Sequence, residues 1–122
     1  CILRGAMNKH GQHIPNYHYE DLMLLAERYL KRSLKNPAVI VDTNHSNSGK
    51  NHIEQARIAK NVLYSRRHSD VIHNMVKGLM IESYIVEGCQ AVHENVFGKS
   101  ITDPCLGWED TEQLILDIAD SL

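Results

Sequence analysis

The sequence predicts an α/β fold in which short parallel strands alternate with helices. Three brief apolar runs occur in the 122 residues, and a segment with helical periodicity follows each run. The runs end at Arg4, at Asp42 with His45, and at Glu82. In parallel β/α architecture, functional groups lie where strands end, because core side chains fill the strand interiors. We therefore expect the chemistry of the chain at these three ends.

The first half of the chain predicts a strand, a helix and a second strand. The first apolar run precedes Arg4, and a helix is expected within residues 16–36, where apolar side chains recur at helical spacing. Asn36 precedes Pro37 and should end this helix, because proline displaces the preceding residue from the helical region. The run at residues 38–41 is apolar on both faces, which is typical of a buried strand in a parallel sheet.

A second helix and a short extra turn should follow the second strand. A polar loop spans residues 42–50, and Asn51 is the predicted N-cap of the helix, with Glu54 as its capping-box partner. The helix should break near residues 66–69, and Asp70 is positioned to cap the extra turn.

The last part of the chain predicts a third strand, a long loop and a final helix. The third apolar run covers residues 78–81 and ends at Glu82. The loop continues to Gly107, a length that suggests function. The final helix is expected to begin near Asp110 or Thr111, where an acidic first turn suits the helix dipole.

Composition excludes several classes of function. Thirteen Lys and Arg against fifteen Asp and Glu give a net charge of −2, which offers no basic surface for nucleic acid or an anionic membrane. No stretch approaches the roughly 18 to 20 apolar residues that span a bilayer. Cys1, Cys89 and Cys105 form no CxxC pair, so neither a disulfide framework nor a zinc ribbon is indicated. We expect a cytoplasmic protein.

The number of strands suggests that the chain is part of something larger. Three strands cannot close a barrel or form a complete doubly wound sheet. The chain also opens on Cys1-Ile2-Leu3 without an initiator methionine, and we expect this to be a cut end in the middle of a strand.

Three side chains are candidates for a metal site. His45 follows a buried strand, where it could bind a metal or shuttle a proton, although a loop histidine bonded to the backbone is the alternative. Glu82 should meet a cation or a metal at the strand end, or form a salt bridge to a neighbouring strand. Asp103 could be a helix cap or turn residue, and its possible proximity to the other two favours a site. One imidazole and two carboxylates suit a borderline or hard divalent ion.

Other polar and aromatic residues give weaker signals. Arg4 could bind a phosphate or carboxylate bidentately, or form an ion pair with Glu82 or Asp42. Residues 48–50 resemble a fragment of a phosphate loop without its glycine spacing. We expect Cys89 and Cys105 to pack rather than react. The tyrosines Tyr17, Tyr19 and Tyr29 should lie in the core or pack on helices, and the remaining histidines should be surface or capping residues: His10, His13, His18, His52, His68, His73 and His93.

Four groups of residues occur together in an order that is typical of one family. They are Ile2-Leu3-Arg4-Gly5 with Pro15-Asn16-Tyr17, Val41-Asp42 with His45-Ser46-Asn47-Ser48, Met80-Ile81-Glu82-Ser83 with Val86-Glu87-Gly88, and Gly98-Lys99-Ser100-Ile101-Thr102-Asp103 with Gly107-Trp108-Glu109-Asp110-Thr111. The last group is quite specific. Together they resemble the 3-deoxy-D-arabino-heptulosonate-7-phosphate (DAHP) synthases, in particular the feedback-regulated microbial type I group.

The resemblance implies a fold and an activity. The fold would be the C-terminal part of a (β/α)8 TIM barrel, about the last three β/α units, with residues 1–122 a C-terminal fragment of a single aldolase-type barrel domain. The activity would be the condensation of phosphoenolpyruvate and erythrose 4-phosphate to DAHP and phosphate, the first step of the shikimate pathway and of aromatic amino-acid biosynthesis. A homo-oligomer is expected, with no nucleic-acid or membrane partner.

The resemblance also implies roles for four residues. His45, Glu82 and Asp103 fall on three of the family's ligands for a divalent ion of the Mn, Fe, Co or Zn class. Arg4 falls on an arginine that binds phosphoenolpyruvate, so Arg4 and His45 are the expected catalytic residues. The family's fourth ligand is a cysteine early in the barrel, a position that none of the three cysteines of this chain occupies. We therefore expect the 122-residue chain alone to be inactive.

Two alternatives and three departures accompany the resemblance. A 3-deoxy-D-manno-octulosonate 8-phosphate synthase would use a five-carbon sugar phosphate, and the group that ends in Thr111 argues against it. A non-catalytic half-barrel for metal binding or assembly is the other alternative, although the metal-ligand residues are unaltered. Asn44 stands where serine is more usual and Pro104 where alanine is common, and an insertion at residues 7–13 lengthens the first loop.

Overall fold

The computed structural model describes residues 1–122 as seven short strands and five helices. In chain order they are β1 (Ile2–Leu3), β2 (Ala6–Met7), β3 (His13–Ile14), α1 (Tyr19–Lys31), β4 (Val39–Asp42), α2 (His45–Ser48), α3 (Glu54–Arg67), α4 (Asp70–Met75), β5 (Val76–Met80), β6 (Val86–Cys89), β7 (Lys99–Ser100) and α5 (Trp108–Ala119). The α/β prediction is confirmed. None of these helices is long and apolar enough to cross a membrane.

A parallel sheet in the order β1-β4-β5 organises the chain. The side chains of Val39 and Val41 on β4 are buried with apolar residues of α1, α3 and α4, and Leu22 and Ile58 are among the largest side chains of this core. A smaller cluster joins α3 to α5. The helices that connect the parallel strands therefore cover one face of the sheet.

The other face of the sheet is open, which corrects the prediction that β4 is buried on both faces. Ile40 is 38% exposed, and its register partners are Ile2 on β1 and Gly78 on β5. Neighbouring residues of a strand point to opposite faces, so Ile40 points away from the helices that bury Val39 and Val41. Nothing within residues 1–122 covers this apolar row.

The capping prediction for the second long helix is wrong. The N-cap of α3 is Ile53, without a side-chain cap. A backbone turn precedes the helix, in which the N–H of Glu54 donates to the carbonyl of Asn51 at 3.1 Å. The Glu54 side chain instead accepts a hydrogen bond from Arg57 Nε at 2.5 Å. The first helical N–H is therefore satisfied by the backbone carbonyl of Asn51, and the Asn51 side chain is not needed as a cap.

Other element boundaries differ from the predictions by a few residues. α1 lies within the predicted range but ends at Lys31, before the predicted stop at Asn36, and the backbone N–H of its N-cap residue, His18, donates to Asp21 Oδ2 at 3.2 Å. Ser69, and not Asp70, caps α4, because its Oγ accepts from the N–H of Ile72 at 3.3 Å. β5 begins two residues before the predicted third strand, directly after α4, and α5 begins at Trp108 after an N-cap glycine.

Five small elements escaped the sequence prediction. β2 and β3 form an antiparallel hairpin around the insertion, α2 forms in the expected polar loop, and β6 and β7 pair within the long loop. Their side-chain patterns are too short for periodicity to be visible. Two packing predictions are also wrong, since Tyr19 and Cys89 are exposed. Tyr17 and Cys105 are buried as predicted, and Tyr29 packs against the main core.

Candidate metal centre

The structure brings His45, Glu82 and Asp103 together at one edge of the sheet. His45 Nε2 lies 3.3 Å from Glu82 Oε1 and 3.4 Å from Asp103 Oδ2. The three potential ligand atoms all lie within 4.8 Å of one another. His45 and Glu82 follow the carboxyl ends of β4 and β5, whereas Asp103 comes from the long loop after β7. Side chains that are 37 and 58 positions from His45 in sequence therefore form one cluster.

The backbone at His45 adopts a conformation that is uncommon for a residue with a side chain. Its φ is +47°, in the left-handed region. The buried Asn47 stabilises this turn, because its Nδ2 donates to the carbonyl of Asp42 at 2.8 Å and to that of Leu3 at 3.0 Å. The ends of β1 and β4 are thus tied to the segment that presents the imidazole, and strained backbone of this kind concentrates at functional sites.

Asp42 places a carboxylate behind the imidazole. It is fully buried, and its Oδ2 lies 2.9 Å from His45 Nδ1 and 3.4 Å from Arg4 Nε. The contact with Nδ1 is close but lacks the alignment of a hydrogen bond. Oδ1 accepts from the N–H of Asn44 at 2.9 Å. Because Nδ1 faces this carboxylate, Nε2 is the ring nitrogen that faces Glu82 and Asp103, as in many metal-bound histidines.

Arg4 therefore forms the ion pair with Asp42 that the sequence left open as an alternative to anion binding. Its side chain is 56% exposed. The contact of its Nε with Asp42 is an ion pair without a hydrogen bond, and the guanidinium donates no hydrogen bond to any group of the chain. The guanidinium therefore lies beside the cluster with its donors open to solvent.

Glu82 is held through its backbone as well as its carboxylate. The buried Gln55 of α3 accepts from the N–H of Glu82 at 2.8 Å and donates to its carbonyl at 2.9 Å. Gln55 Oε1 also accepts from Thr43 Oγ1 at 3.0 Å. The Glu82 carboxylate accepts a further hydrogen bond from Asn44. Sequence reasoning missed Gln55, since nothing in a helical repeat shows that a glutamine faces a strand end.

Asp103 is held by Lys50, which the sequence did not connect with it. Lys50 Nζ lies 3.0 Å from Asp103 Oδ1, so Oδ2 is the oxygen that faces His45. Residues 48–50 thus contribute an ion pair at this edge of the sheet. Cys105, two residues after Asp103, is buried, and burial raises the pKa of its thiol, with the charges of Glu82 and Asp103 adding to the increase. The neutral thiol fits the predicted packing role.

The donor set fits a divalent ion. Two ligand atoms that each lie about 2.1 Å from one ion are about 3.0 Å apart at a right angle and about 3.4 Å apart at a tetrahedral angle. The observed separations of 3.3 and 3.4 Å are of this size. The cluster and its neighbours carry three carboxylates, from Asp42, Glu82 and Asp103, and two permanently charged cations, Arg4 beside Asp42 and Lys50 beside Asp103. The ligand side chains are 19–33% exposed, so an ion can reach them from solvent.

The side chains of several remaining histidines have partners outside the cluster. His18 caps α1 and lies 3.3 Å from Asp21. His52 Nε2 lies 2.9 Å from Glu87 Oε1, and His13 Nδ1 lies 3.0 Å from Ser46 Oγ. None of them joins the cluster around His45.

Comparisons with known proteins agree on one family. A sequence model described as the DAHP synthetase I family matches residues 5–115. The chain is 35% identical over 121 residues to the Trp-sensitive phospho-2-dehydro-3-deoxyheptonate aldolase of Buchnera aphidicola from Acyrthosiphon pisum, a match that covers 97% of this chain and 34% of that protein. It is 34% identical to the tyrosine-inhibited enzyme of the same name from Schizosaccharomyces pombe, over 99% of this chain and 32% of that protein.

A solved structure gives the same result. The phospho-2-dehydro-3-deoxyheptonate aldolase of Francisella tularensis SCHU S4 superposes with a TM-score of 0.83 at 30% identity, over 98% of this chain and 33% of that one. The chain spans about a third of the length of these relatives. With 111 of its 122 residues inside the family match, the chain belongs to the DAHP synthetase I family.

Proposed function

We propose that this chain is the C-terminal part of a DAHP synthase, which condenses phosphoenolpyruvate and erythrose 4-phosphate to DAHP and phosphate. The observation that carries the proposal is the cluster of His45, Glu82 and Asp103 at the carboxyl ends of parallel strands, with the free Nη donors of Arg4 beside it. Catalytic groups of (β/α)8 enzymes lie at this edge of the barrel.

The open surfaces of the sheet support its place in a barrel. β1 and β5 are edge strands without an outer neighbour, and the row formed by Ile2, Ile40 and Gly78 has no cover. In a closed barrel, additional parallel strands would pair with both edges, and the row would face the packed interior. The three strands would then supply about the last three of eight β/α units, in a single barrel domain.

His45, Glu82 and Asp103 are the proposed ligands of a divalent ion of the Mn, Fe, Co or Zn class. A bound ion would supply a Lewis acid for the aldehyde carbonyl of erythrose 4-phosphate. Asp42 would keep Nδ1 of His45 turned away from the ligand side, and Lys50 would leave one oxygen of Asp103 free to coordinate.

Arg4 is the proposed binding residue for phosphoenolpyruvate. The ion pair with Asp42 keeps the guanidinium beside the cluster, and its two Nη nitrogens can donate to a phosphate or carboxylate in the planar geometry of a guanidinium fork. This contact would hold the methylene carbon of phosphoenolpyruvate against the aldehyde carbon, so that a carbon–carbon bond forms between them. The aldehyde oxygen takes up a proton and becomes a hydroxyl, water adds to C2 of phosphoenolpyruvate, and the bond from C2 to the phosphate oxygen breaks, which leaves a ketone and free phosphate.

The proposal is tested on the full-length polypeptide that carries this segment, assayed with both substrates and Mn²⁺. Phosphate release should require erythrose 4-phosphate, and Arg4→Ala should lower kcat/KM at least about 100-fold. Arg28→Ala, on the exposed surface of α1, is the matched control and should change it less than about twofold. Arabinose 5-phosphate as the preferred substrate would identify the octulosonate synthase instead. Metal binding without turnover of either sugar would identify a non-catalytic half-barrel.

The 122-residue chain alone is expected to be inactive. Three ligands and one substrate arginine are a partial site, and further ligands and phosphate-binding residues would have to come from other strands of the barrel. We expect no detectable phosphate release from the purified chain with both substrates and Mn²⁺. Turnover by the chain alone would contradict its place as a part of a larger barrel.

A further inference from the structure

A buried amide lies where the three segments of the candidate metal centre meet. Asn44 is 1% exposed. Its Nδ2 donates to Glu82 Oε2 at 2.7 Å and to the carbonyl of Pro104 at 3.1 Å, and its Oδ1 accepts from Ser48 Oγ at 2.7 Å. Asn44 itself directly precedes His45. One side chain therefore touches the end of β5, the loop of Asp103 and the turn that presents the imidazole.

The orientation of this amide follows from its partners. An ionised carboxylate and a backbone carbonyl can only accept hydrogen bonds, so the atom between Glu82 and Pro104 must be the NH₂ group. The Ser48 hydroxyl then donates to the remaining oxygen. All polar atoms of the Asn44 side chain are satisfied by protein groups, with each NH₂ hydrogen assigned to one of the two segments.

The hydrogen bond to Oε2 determines which oxygen Glu82 offers to an ion. The terminal torsion of a glutamate has a broad, roughly twofold preference, so the carboxylate plane is not set by the side chain itself. With Oε2 held by Asn44, Oε1 is the oxygen that lies 3.3 Å from His45 Nε2. The second hydrogen bond, to the residue after Asp103, holds that loop next to the same carboxylate.

From these contacts we propose that Asn44 is a positioning residue of the metal centre. It holds the Glu82 carboxylate and the Asp103 loop at the spacing that a single ion requires, and it does so without itself coordinating the ion. Ser48 assists by fixing the orientation of the amide. This inference rests on the metal site of the proposed function.

The test is a Co²⁺ titration of the chain, followed by the visible absorption of the bound ion. Asn44→Leu removes the donor while keeping a similar volume, and it should weaken Co²⁺ binding about 10- to 100-fold, as loss of a partner behind a ligand usually does. The absorption spectrum of the remaining complex should change as well, because Glu82 is free to rotate. A mere loss of stability would not change the spectrum of the folded fraction.

Two further variants complete the experiment. Ser48→Ala loses the hydrogen bond of 2.7 Å that orients the amide, together with the longer contact of the same hydroxyl with the carbonyl of His45 at 3.2 Å, and it should weaken binding about threefold or more, in the same direction. Ser65→Ala is the matched control, since Ser65 is also buried but bonds only to the carbonyl of Asn61 in α3. Its affinity and spectrum should equal those of the unaltered chain. If Asn44→Leu does not fold, the comparison of the two serine variants decides the question.

The outcomes distinguish the positioning role of Asn44 from the metal site on which that role depends. If the unaltered chain binds Co²⁺ and both Asn44→Leu and Ser48→Ala match it in affinity and spectrum, the positioning role of Asn44 is wrong while the metal site stands. If the unaltered chain binds no Co²⁺, the metal site itself is refuted, and the role of Asn44 with it.

Discussion

Replacing Gln55 by leucine should destabilise the fold at the end of β5. Gln55 is fully buried, and its amide pairs with both the N–H and the carbonyl of Glu82, much as a neighbouring strand would. It also accepts from the hydroxyl of Thr43, which has a second partner in the carbonyl of Met80 at 2.9 Å. Leucine keeps the volume but offers none of these hydrogen bonds.

The cost follows from the number of groups that lose their partner. The N–H of Glu82 is left unsatisfied, which costs about 1–3 kcal/mol when the group is buried, whereas the Glu82 carbonyl keeps a hydrogen bond from the N–H of Leu106 at 3.0 Å. Glu82 is half-buried and some water can reach it, so the lower part of that range applies and the cost is about 1–2 kcal/mol. The Thr43 hydroxyl adds little, because it can still donate to Met80. In a chain of this size, such a loss corresponds to a decrease in Tm of about 3–8 °C.

Thermal and urea denaturation followed by circular dichroism measure this effect. Gln113→Leu is the matched control, since Gln113 is exposed on α5 and donates only to Asp117 within the same helix. It should change the free energy of unfolding by less than about 0.5 kcal/mol. Equal stability of Gln55→Leu and Gln113→Leu would refute the reasoning that the buried amide stabilises the strand end.

Three further predictions concern other parts of the chain. Gly5→Ala should lower the free energy of unfolding by about 3 kcal/mol or more, because φ is +70° and a Cβ would lie 2.8 Å from a backbone oxygen. Gly11→Ala, at φ +78° with open space around it, should lower that free energy by only about 1–2 kcal/mol, as measured by urea denaturation. Cys105 should resist iodoacetamide at pH 8 in the native chain, since burial raises the pKa of its thiol, while the two exposed cysteines react. Equal labelling of all three cysteines in mass spectrometry would contradict this. Hydrogen bonding to Lys60 lowers the pKa of Asp117, so the pair stabilises the native state above the ordinary aspartate pKa, and this stabilisation is lost as the pH falls through the lowered value. In Lys60→Met, an NMR titration should show the pKa of Asp117 return towards normal. An unchanged pKa would contradict the pairing.

The sequence predicted which residues lie at the strand ends, because short apolar runs locate the strands and the parallel topology determines where their ends lie. Once three parallel strands are recognised, their carboxyl ends must lie at one edge, so Arg4, His45 and Glu82 are expected near each other. The structure places them there. No strand end predicted the position of Asp103. Only the family resemblance and its possible proximity to His45 and Glu82 indicated that it belongs to the site.

The sequence could not predict which polar groups pair. Arg4 had two acidic candidates, and Asp42 is its partner because β1 and β4 are adjacent in the sheet. Asn44 was expected as a loop residue where serine is more usual, and Lys50 as part of a phosphate-loop fragment. Their contacts with Glu82 and Asp103 join segments far apart in the chain. Such contacts depend on tertiary placement, which helix and strand periodicity does not contain.

Local signals also failed where the backbone supplied an alternative. The Asn51 cap was predicted from residue type, but a backbone turn already satisfies the first N–H of α3. The hairpin of β2 and β3 consists of two-residue strands, and its turn depends on Gly11 at positive φ rather than on an alternating pattern. The open face of β4 reflects the part of a barrel that residues 1–122 do not contain under the proposed function.

The metal centre is tested most directly by the number of Mn²⁺ ions that the chain binds, measured by the loss of the electron paramagnetic resonance signal of free Mn²⁺. We expect one ion per chain, with binding abolished or weakened at least about 100-fold in each of His45→Ala, Glu82→Gln and Asp103→Asn. His52→Ala, which removes a histidine paired with Glu87 outside the cluster, should bind as the unaltered chain does. Absence of binding, or binding that survives all three ligand variants, would contradict a metal centre at this site.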